Sequence, residues 1–268
     1  LMTLAQRPAE RLDWLGASFG LTEPLFKFWH RNGFLPVYTR QTKNEVTGEH
    51  STVVLHNLHA REGSAAAAAV AASAAASAAA ASDDWLGLYC GDFRRRFSSL
   101  LGLSLRGLPC SLALSLLDPQ LQPPNADEEH ALSAEQLDFL LGPYDMKRLR
   151  SYARNLVDHR LVADLVPLLA RLRFGGQLST PLSAVQGAIL LGVGLQTKSL
   201  DELESELGLP ASQLLALFNK AVRKMTVSLS SVLEAREEAT LPAPSAAKDA
   251  SAHMAPLASH LSAELDDG

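Results

Sequence analysis

The stretch KFWHRNGFLPVY, residues 27–38, joins the end of a helix to the start of a strand and decides the architecture of the first region. Thr22 is a suitable N-cap residue, and Pro24 is tolerated in a first helical turn. The Asn32-Gly33 pair predicts a left-handed helix end. The apolar residues before that end recur with the spacing of one helical face: Leu21, Leu25, Phe28 and Trp29.

Two strands are predicted after this helix. FLPVY, residues 34–38, is typical of a strand, and Pro36 within it indicates a sheet edge or a bulge. A turn over residues 44–49 leads to STVVLHNL, residues 51–58, whose apolar run suits a buried strand. Because two strands and a helix cannot form an adequate core alone, we expect residues 1–60 to be part of a larger α/β unit.

The remaining chain divides by composition. Residues 61–82 are almost entirely Ala and Ser, which predicts a low-complexity insertion acting as a spacer. Residues 83–236 predict one helix after another, and residues 237–268 are rich in Pro, Ala and Ser, which predicts a disordered tail. The expected fold class is α+β, with part of an α/β sheet followed by a mostly α-helical domain.

Several signals predict where the helices lie. A helix carries aromatic and apolar residues every four positions, namely Trp85, Tyr89, Phe93, Phe97 and Leu101. Pro143 predicts a helix start, and Pro167 predicts a kink or a break. Residues 184–195 are nearly all apolar, which predicts a central helix. Ser199 and Glu202 have capping-box spacing.

Charge and cysteine content limit the function. The chain has 24 basic and 29 acidic residues, a net charge of −5, so any surface for nucleic acid must be local. Cys90 and Cys110 have no CxxC partners, and the eight histidines show no HxxxH or HExxH spacing. We therefore expect no metal site and no disulfide. With no signal peptide and no convincing membrane span, we expect a soluble protein.

Two basic runs are candidates for contact with RNA or DNA. On the helix that begins near Pro143, three cations share one face and a fourth lies beside them: Lys147, Arg150, Arg154 and Arg148. The second run is Arg94-Arg95-Arg96. Such spacing can neutralise several phosphates of one strand, but each run could equally be a solvated helix face.

A helix pair near the end has helix-turn-helix proportions. The break between its helices is predicted at Gly208 and Pro210. On the second helix we expect an inward set, Leu214, Phe218, Ala221 and Met225, and an outward set, Asn219, Lys220, Arg223 and Lys224. The alternative function is therefore a non-catalytic helical adaptor that binds nucleic acid and reads bases. A plain αα-hairpin with a charged face fits the same pattern.

A resemblance adds to this pattern. Thr22, Leu25, Trp29, Gly33 and Phe34 are spaced like the final helix-to-strand signature of the GCN5-related acetyltransferase fold. The stretch from Arg11 to Ser51 resembles the RNA cytidine acetyltransferase family. The resemblance continues through the segments DFRRRF, PYDMKRLRSYARNLVD, LSAVQGAILLGVGLQTKSLDELESELGLP and LFNKAVRKM.

The resemblance implies an enzyme that transfers acetyl from acetyl-CoA to the exocyclic amine of cytidine in small-subunit rRNA precursor and tRNA. It implies an upstream ATP-hydrolysing module outside this chain, a protein adaptor for tRNA and a nucleolar location in the nucleus. Residues 1–60 would end the acetyltransferase domain, and residues 83–236 would be the helical tRNA-binding domain. Because the chain opens with Leu1, we interpret it as a fragment that is inactive alone.

The resemblance also assigns roles to two neighbouring residues. Arg31 matches the basic residue that contacts acetyl-CoA in the family, although a cation at a helix C-terminus also interacts favourably with the helix dipole. Trp29 stands where many such acetyltransferases carry a proton-donating Tyr. Since indole has no useful acidity, we expect Trp29 to pack against cofactor or core. The catalytic residues stay unidentified, and acetylation of protein amines is a third hypothesis.

Overall fold

The computed structural model describes residues 12–58, 85–117 and 131–240. The predicted insertion at residues 61–82 and the tail from residue 241 onward lie outside the described residues. The strands are β1 (Trp14–Gly20), β2 (Leu35–Lys43) and β3 (His50–Asn57). The helices are α1 (Glu23–Arg31), α2 (Trp85–Leu100), α3 (Cys110–Leu116), α4 (Ala134–Leu140), α5 (Pro143–Ala153), a 3-10 helix (His159–Leu161), α6 (Val166–Phe174), α7 (Ala184–Gly194), α8 (Leu200–Leu207) and α9 (Ala211–Thr240).

The three strands form an antiparallel sheet in the order β1-β3-β2. The register between β2 and β3 shifts between Pro36 and Tyr38, so Val37 is the extra residue of a bulge. Both sequence predictions for Pro36 are therefore confirmed, because it lies on an outer strand of the described sheet and beside a bulge. The α+β fold class is also confirmed.

The sequence analysis missed strand β1. It pairs with β3 along its whole length, from Trp14 opposite Asn57 to Gly20 opposite Ser51. Its sequence, WLGASFG, contains two glycines and two small residues and therefore has low strand propensity. The hydrogen-bonded ladder offered by β3, a partner distant in sequence, decides its conformation.

Helix α1 begins and ends as its sequence predicts. Thr22 is the extended N-cap residue, and Pro24 lies in the first turn. Asn32 is the C-cap, and its Nδ2 donates to the Phe28 carbonyl at 2.8 Å. Gly33 follows with φ of +82°, in the left-handed region that favours glycine. The chain therefore reverses into β2 at this point.

One side of the sheet packs on the first helix of the helical region. Val37 of β2 and two residues of α2, Leu86 and Cys90, form a buried cluster. Of the five residues that recur every four positions from Trp85 to Leu101, Phe93, Phe97 and Leu101 are buried, whereas Trp85 and Tyr89 are 37% and 45% exposed. A strict spacing of four drifts around a helix of 3.6 residues per turn, so Leu86 and Cys90 take the inward positions instead.

Helix α7 lies at the centre of the helical region, as its apolar sequence predicts. Ile189, Leu190 and Leu191 are fully buried. A Cβ on Gly194 would lie 2.6 Å from the Ala170 Cβ, so α6 crosses α7 at a separation that only glycine permits. A Cβ on Gly192 would lie 2.6 Å from Leu203 of α8.

The helix ends follow the predicted signals. Ser199 and Glu202 form the expected capping box at α8, and Gly208 ends that helix with φ of +65°. Pro167 lies in the first turn of α6, so the chain breaks there and does not kink. The chain divides into two compact units, residues 1–229 and 230–268.

The last helix crosses a predicted boundary. Helix α9 continues to Thr240, so the predicted start of the tail at residue 237 falls inside it. From residue 234 to its end the helix is exposed. Within the described parts of the chain, no helix is long and apolar enough to cross a membrane.

Candidate functional site

Arg31 is the last residue of α1, and its side chain is exposed. Among the described residues no hydrogen bond or ion pair engages its guanidinium. The loop beside it is held in place, because His56 Nδ1 lies 2.8 Å from the carbonyl oxygen of Gly33. Arg31 is thus an exposed cation at a helix end whose following loop is held in place, which fits both an anionic ligand and interaction with the helix dipole.

Trp29 packs inside an aromatic cluster between α1 and the sheet. Its ring stacks on Phe19 of β1 at 6.0 Å and meets Phe34 edge-on at 4.8 Å. The prediction that it packs against cofactor or core is confirmed for the core. The buried indole Nε1 has no hydrogen-bond partner among the described residues. This side chain therefore holds the helix-to-strand junction together.

The outward face of α5 carries three exposed cations. Lys147, Arg150 and the C-cap residue Arg154 are exposed. Within residues 12–58, 85–117 and 131–240, no acidic side chain pairs with them. The opposite face of the helix is buried through Met146 and Leu149. We call Lys147, Arg150 and Arg154 the α5 cationic face.

Arg148 does not belong to this face, although its sequence position suggests that it does. Its guanidinium contacts Asp145 at 2.6 Å and Asp164 at 2.9 Å, and it also donates to the Leu161 carbonyl. Hydrogen bonds from Arg148 lower the pKa of both carboxyl groups. The prediction that Arg148 holds RNA is therefore corrected, because two carboxylates already neutralise its charge.

Arg94 requires a second correction. It is 4% exposed, and its Nη2 donates to the carbonyl oxygens of Leu117 and Phe174 at 3.2 and 3.1 Å. A buried cation with these partners joins the end of α3 to the end of α6 and cannot reach RNA. Arg95 is 80% exposed and pairs with Asp92, whereas Arg96 is exposed. Of the Arg94-Arg95-Arg96 run, only Arg95 and Arg96 can contribute to a surface.

The predicted helix-turn-helix pair has the expected buried side. Its inward set is buried, namely Leu214, Phe218, Ala221 and Met225. Of the outward set, Lys220 and Arg223 are exposed, and three residues also make contacts within the chain: Asn219 donates to the Asn155 Oδ1, Arg223 to the Ala153 carbonyl and Lys224 to the Pro181 carbonyl. Only Lys220 of that set has no polar contact among the described residues. The adaptor hypothesis is therefore left with Lys220 and with the donors of Asn219 and Arg223 that these contacts do not use.

Asn155 is a residue that the sequence analysis did not single out. It follows the C-cap of α5 with φ of 57° and contacts Asn219 of α9 at 2.6 Å. An Asn directly after a helix end is a known left-handed signal, which could have identified its conformation but not its partner.

Over the described ranges, no group of three or more His, Cys, Asp or Glu residues is arranged to hold a metal ion.

Comparison with known proteins identifies the two parts of the chain. A family model described as possible tRNA binding domain matches residues 85–268, and one described as GNAT acetyltransferase 2 matches residues 1–59. The human RNA cytidine acetyltransferase is 43% identical over 268 residues, which is 100% of this chain. The chain belongs to the RNA cytidine acetyltransferase family. The recognition made from the sequence is therefore confirmed.

Other members of the family are similar over nearly the same range. The RNA cytidine acetyltransferase of Saccharomyces cerevisiae is 40% identical over 249 residues, or 90% of this chain and 22% of the relative. RNA cytidine acetyltransferase 1 of Arabidopsis thaliana is 36% identical over 248 residues, or 90% of this chain and 23% of the relative. The chain spans 24% of the human relative, so it corresponds to about a quarter of these proteins.

Proposed function

We propose that this chain is the RNA-holding part of an RNA cytidine acetyltransferase. The observation that carries the proposal is the α5 cationic face, since Lys147, Arg150 and Arg154 lie exposed on one helix without acidic partners among the described residues. Three aligned cations favour contact with a phosphate backbone. The helical region that contains them matches a tRNA-binding family model, which supports RNA as the ligand.

The acetylation itself would require parts of a longer protein. There, acetyl-CoA would supply the acetyl group, and the exocyclic amine of a cytidine in tRNA or small-subunit rRNA precursor would accept it. Arg31 fits a role beside the cofactor, because it is an exposed cation at the end of α1. It would pair with the phosphates of CoA. We expect the chain alone to transfer no acetyl group.

The remaining assignments are proposals that the resemblance to the family suggests. An ATP-hydrolysing module outside this chain would remodel RNA so that a paired cytidine becomes accessible. A protein adaptor would help to present tRNA, and modification of the rRNA precursor would place the enzyme in the nucleolus and in ribosome biogenesis. Immunofluorescence of the full-length protein beside a nucleolar marker tests the location.

RNA binding across a salt series tests the central proposal. The purified chain is titrated into labelled tRNA beside a variant in which Lys147, Arg150 and Arg154 are changed to Ala. Because each lost phosphate contact removes released counterions, we expect the slope of log affinity against log salt to flatten by about two to three. The proposal is contradicted if the two proteins bind with the same slope and affinity.

A matched control separates the α5 cationic face from total charge. Arg40, Lys43 and Arg171 are exposed cations on β2 and α6 that have no acidic partner among the described residues. Changing these three to Ala removes the same charge, and we expect tRNA affinity to stay within about twofold, since screened surface charges act weakly at a distance. Equal loss in both triple variants would assign binding to net charge.

A further inference from the structure

A groove of about 610 Å³ lies between the C-terminal end of α5 and α9. Tyr152, Leu215 and Ala216 contribute apolar lining, and we call this part of the groove its apolar floor. Tyr152 is 4% exposed, and its ring packs against Phe218 at a centroid distance of 6.3 Å. A volume of this size is typical of sites for a single small ligand. The groove therefore has an apolar surface on which a flat group can pack.

Three Lys and Arg side chains line this groove, Lys220, Arg223 and Lys224, and the last of them donates to the Pro181 carbonyl. Arg223 donates from Nε to the Ala153 carbonyl at 2.8 Å, which fixes the plane of its guanidinium. Its Nη groups have no hydrogen bond among the described residues. Lys220, one residue from Asn219 on α9, is exposed and has no described partner. A fixed guanidinium beside an ammonium is suited to a phosphate.

A pair of amides completes the site. Asn219 Nδ2 donates to Asn155 Oδ1 at 2.6 Å, and both residues line the groove. This contact leaves the second amide hydrogens and the Asn219 oxygen able to bind another group, since each amide has two donors and an acceptor. Donors and acceptors beside an apolar floor match the edge and face of a nucleobase.

We propose that this groove binds one unpaired nucleotide of an RNA strand. The base would lie on the apolar floor near Ala216, and its phosphate would contact Lys220 and Arg223. A base held in a duplex presents neither its face nor its pairing edge, so the groove selects single-stranded segments. The inference rests on the proposed RNA-binding function and deepens it, because the α5 cationic face alone does not distinguish single strands from duplexes.

The first test fills the groove without changing charge. Ala216 is exposed on α9, so Ala216→Trp adds bulk to the floor with little risk to folding. The probes are a fluorescent 12-nucleotide single-stranded RNA and the blunt duplex formed with its complement. We expect the affinity for the single strand to fall about tenfold, as when one stacked base is lost, while duplex affinity changes by less than about twofold. Ser205→Trp, at an exposed position on α8, is the matched control and should change neither.

A second pair of variants tests the cations. Lys220→Glu should weaken binding of the single strand, whereas Arg171→Glu on α6 makes the same charge change outside the groove and should have little effect. The groove inference is overturned if Ala216→Trp binds the single strand like the unmodified chain. It is equally overturned if the tryptophan weakens single strand and duplex alike, which would indicate a general polyanion surface.

The outcomes also separate this inference from the proposed function. If changing Lys147, Arg150 and Arg154 to Ala abolishes RNA binding while Ala216→Trp does not alter it, the proposed function stands and the nucleotide groove fails. If the unmodified chain binds neither RNA, both fail. Thermal unfolding followed by circular dichroism should show that each variant is folded at the temperature of the assay.

Discussion

Arg148 and Asp164 form a bidentate salt bridge, in which Arg148 Nη1 donates to Asp164 Oδ1 and Arg148 Nη2 donates to Asp164 Oδ2, each at 2.9 Å. The same guanidinium also contacts Asp145 within α5. One of four neighbouring cations is thereby removed from the surface charge, and it connects α5 to the segment before α6. The contact separates a structural arginine from the α5 cationic face.

This contact predicts that substitutions of the adjacent residues Lys147 and Arg148 affect tRNA affinity to different extents. Arg148→Gln should leave tRNA affinity within about twofold, whereas Lys147→Gln should lower it about threefold or more, because only Lys147 presents free charge. Filter binding or fluorescence anisotropy at one fixed salt concentration measures both. A larger loss in Arg148→Gln than in Lys147→Gln would show that the ion pairs open when RNA binds.

The same contact predicts a dependence of stability on acid pH. Arg148 lowers the pKa of Asp145 and Asp164 below the ordinary value of 3.8, so the folded state binds fewer protons than the unfolded chain. Their stabilisation is complete above that ordinary pKa and is lost as the pH falls through the lowered values. Chemical unfolding should show that Arg148→Gln lowers stability at neutral pH and that the difference shrinks in acid. If the difference in stability between the two proteins does not change with pH, the lowered pKa values of Asp145 and Asp164 are not its cause.

Arg94 and Arg95 should differ in stability, although they are neighbours with the same side chain. Arg94→Ala removes a buried donor and leaves the Leu117 and Phe174 carbonyls without it, at a cost of about 3 kcal/mol. Arg95→Ala alters an exposed side chain, and the free energy of unfolding should change by less than about 0.5 kcal/mol. Urea titrations followed by circular dichroism measure both. Similar values would mean that the Arg94 contacts add little net stability.

Gly33 and Gly48 form a matched pair for backbone strain. Both have positive φ, +82° and +71°. A Cβ on Gly33 would lie 3.0 Å from the His56 ring, whereas a Cβ on Gly48 would meet nothing within 4 Å. Gly48→Ala should cost about 1 kcal/mol from strain alone, and Gly33→Ala should cost more, about 2 kcal/mol. Thermal unfolding of both variants checks the order, and a reversed order would remove the His56 contact as the cause.

Cys110 predicts a dependence on alkaline pH. Burial raises the pKa of its thiol from 9.0 to about 11, although Lys198 beside it acts in the opposite direction. A raised pKa means that the thiol contributes stability in full below pH 9.0 and that this stability is lost as the pH rises toward about 11. Unfolding free energies of the unmodified chain and Cys110→Ala should therefore converge across this range. Parallel curves would show that another group titrates.

The helix-to-strand junction at residues 27–38 was predicted correctly because its sequence signals are local. Thr22, Pro24 and the Asn32-Gly33 pair act within one or two turns, so the sequence alone predicts where α1 begins and ends. Strand β1 has no comparable signal, because its conformation depends on hydrogen bonds to a partner in β3. Short weak strands are therefore the elements that sequence reasoning misses.

The role of a charged residue cannot be predicted from local sequence in the way that the end of a helix can. The sequence by itself determined the α+β class, the position of the helix breaks and the family, since these depend on local propensity, apolar periodicity and extended similarity. Only the tertiary structure decided that Arg94 is buried, that Arg148 is neutralised and that Lys147 stays free of the described carboxylates. The physical reason is that the effect of a charge depends on burial and on neighbouring carboxylates, and both come from residues far away in the sequence.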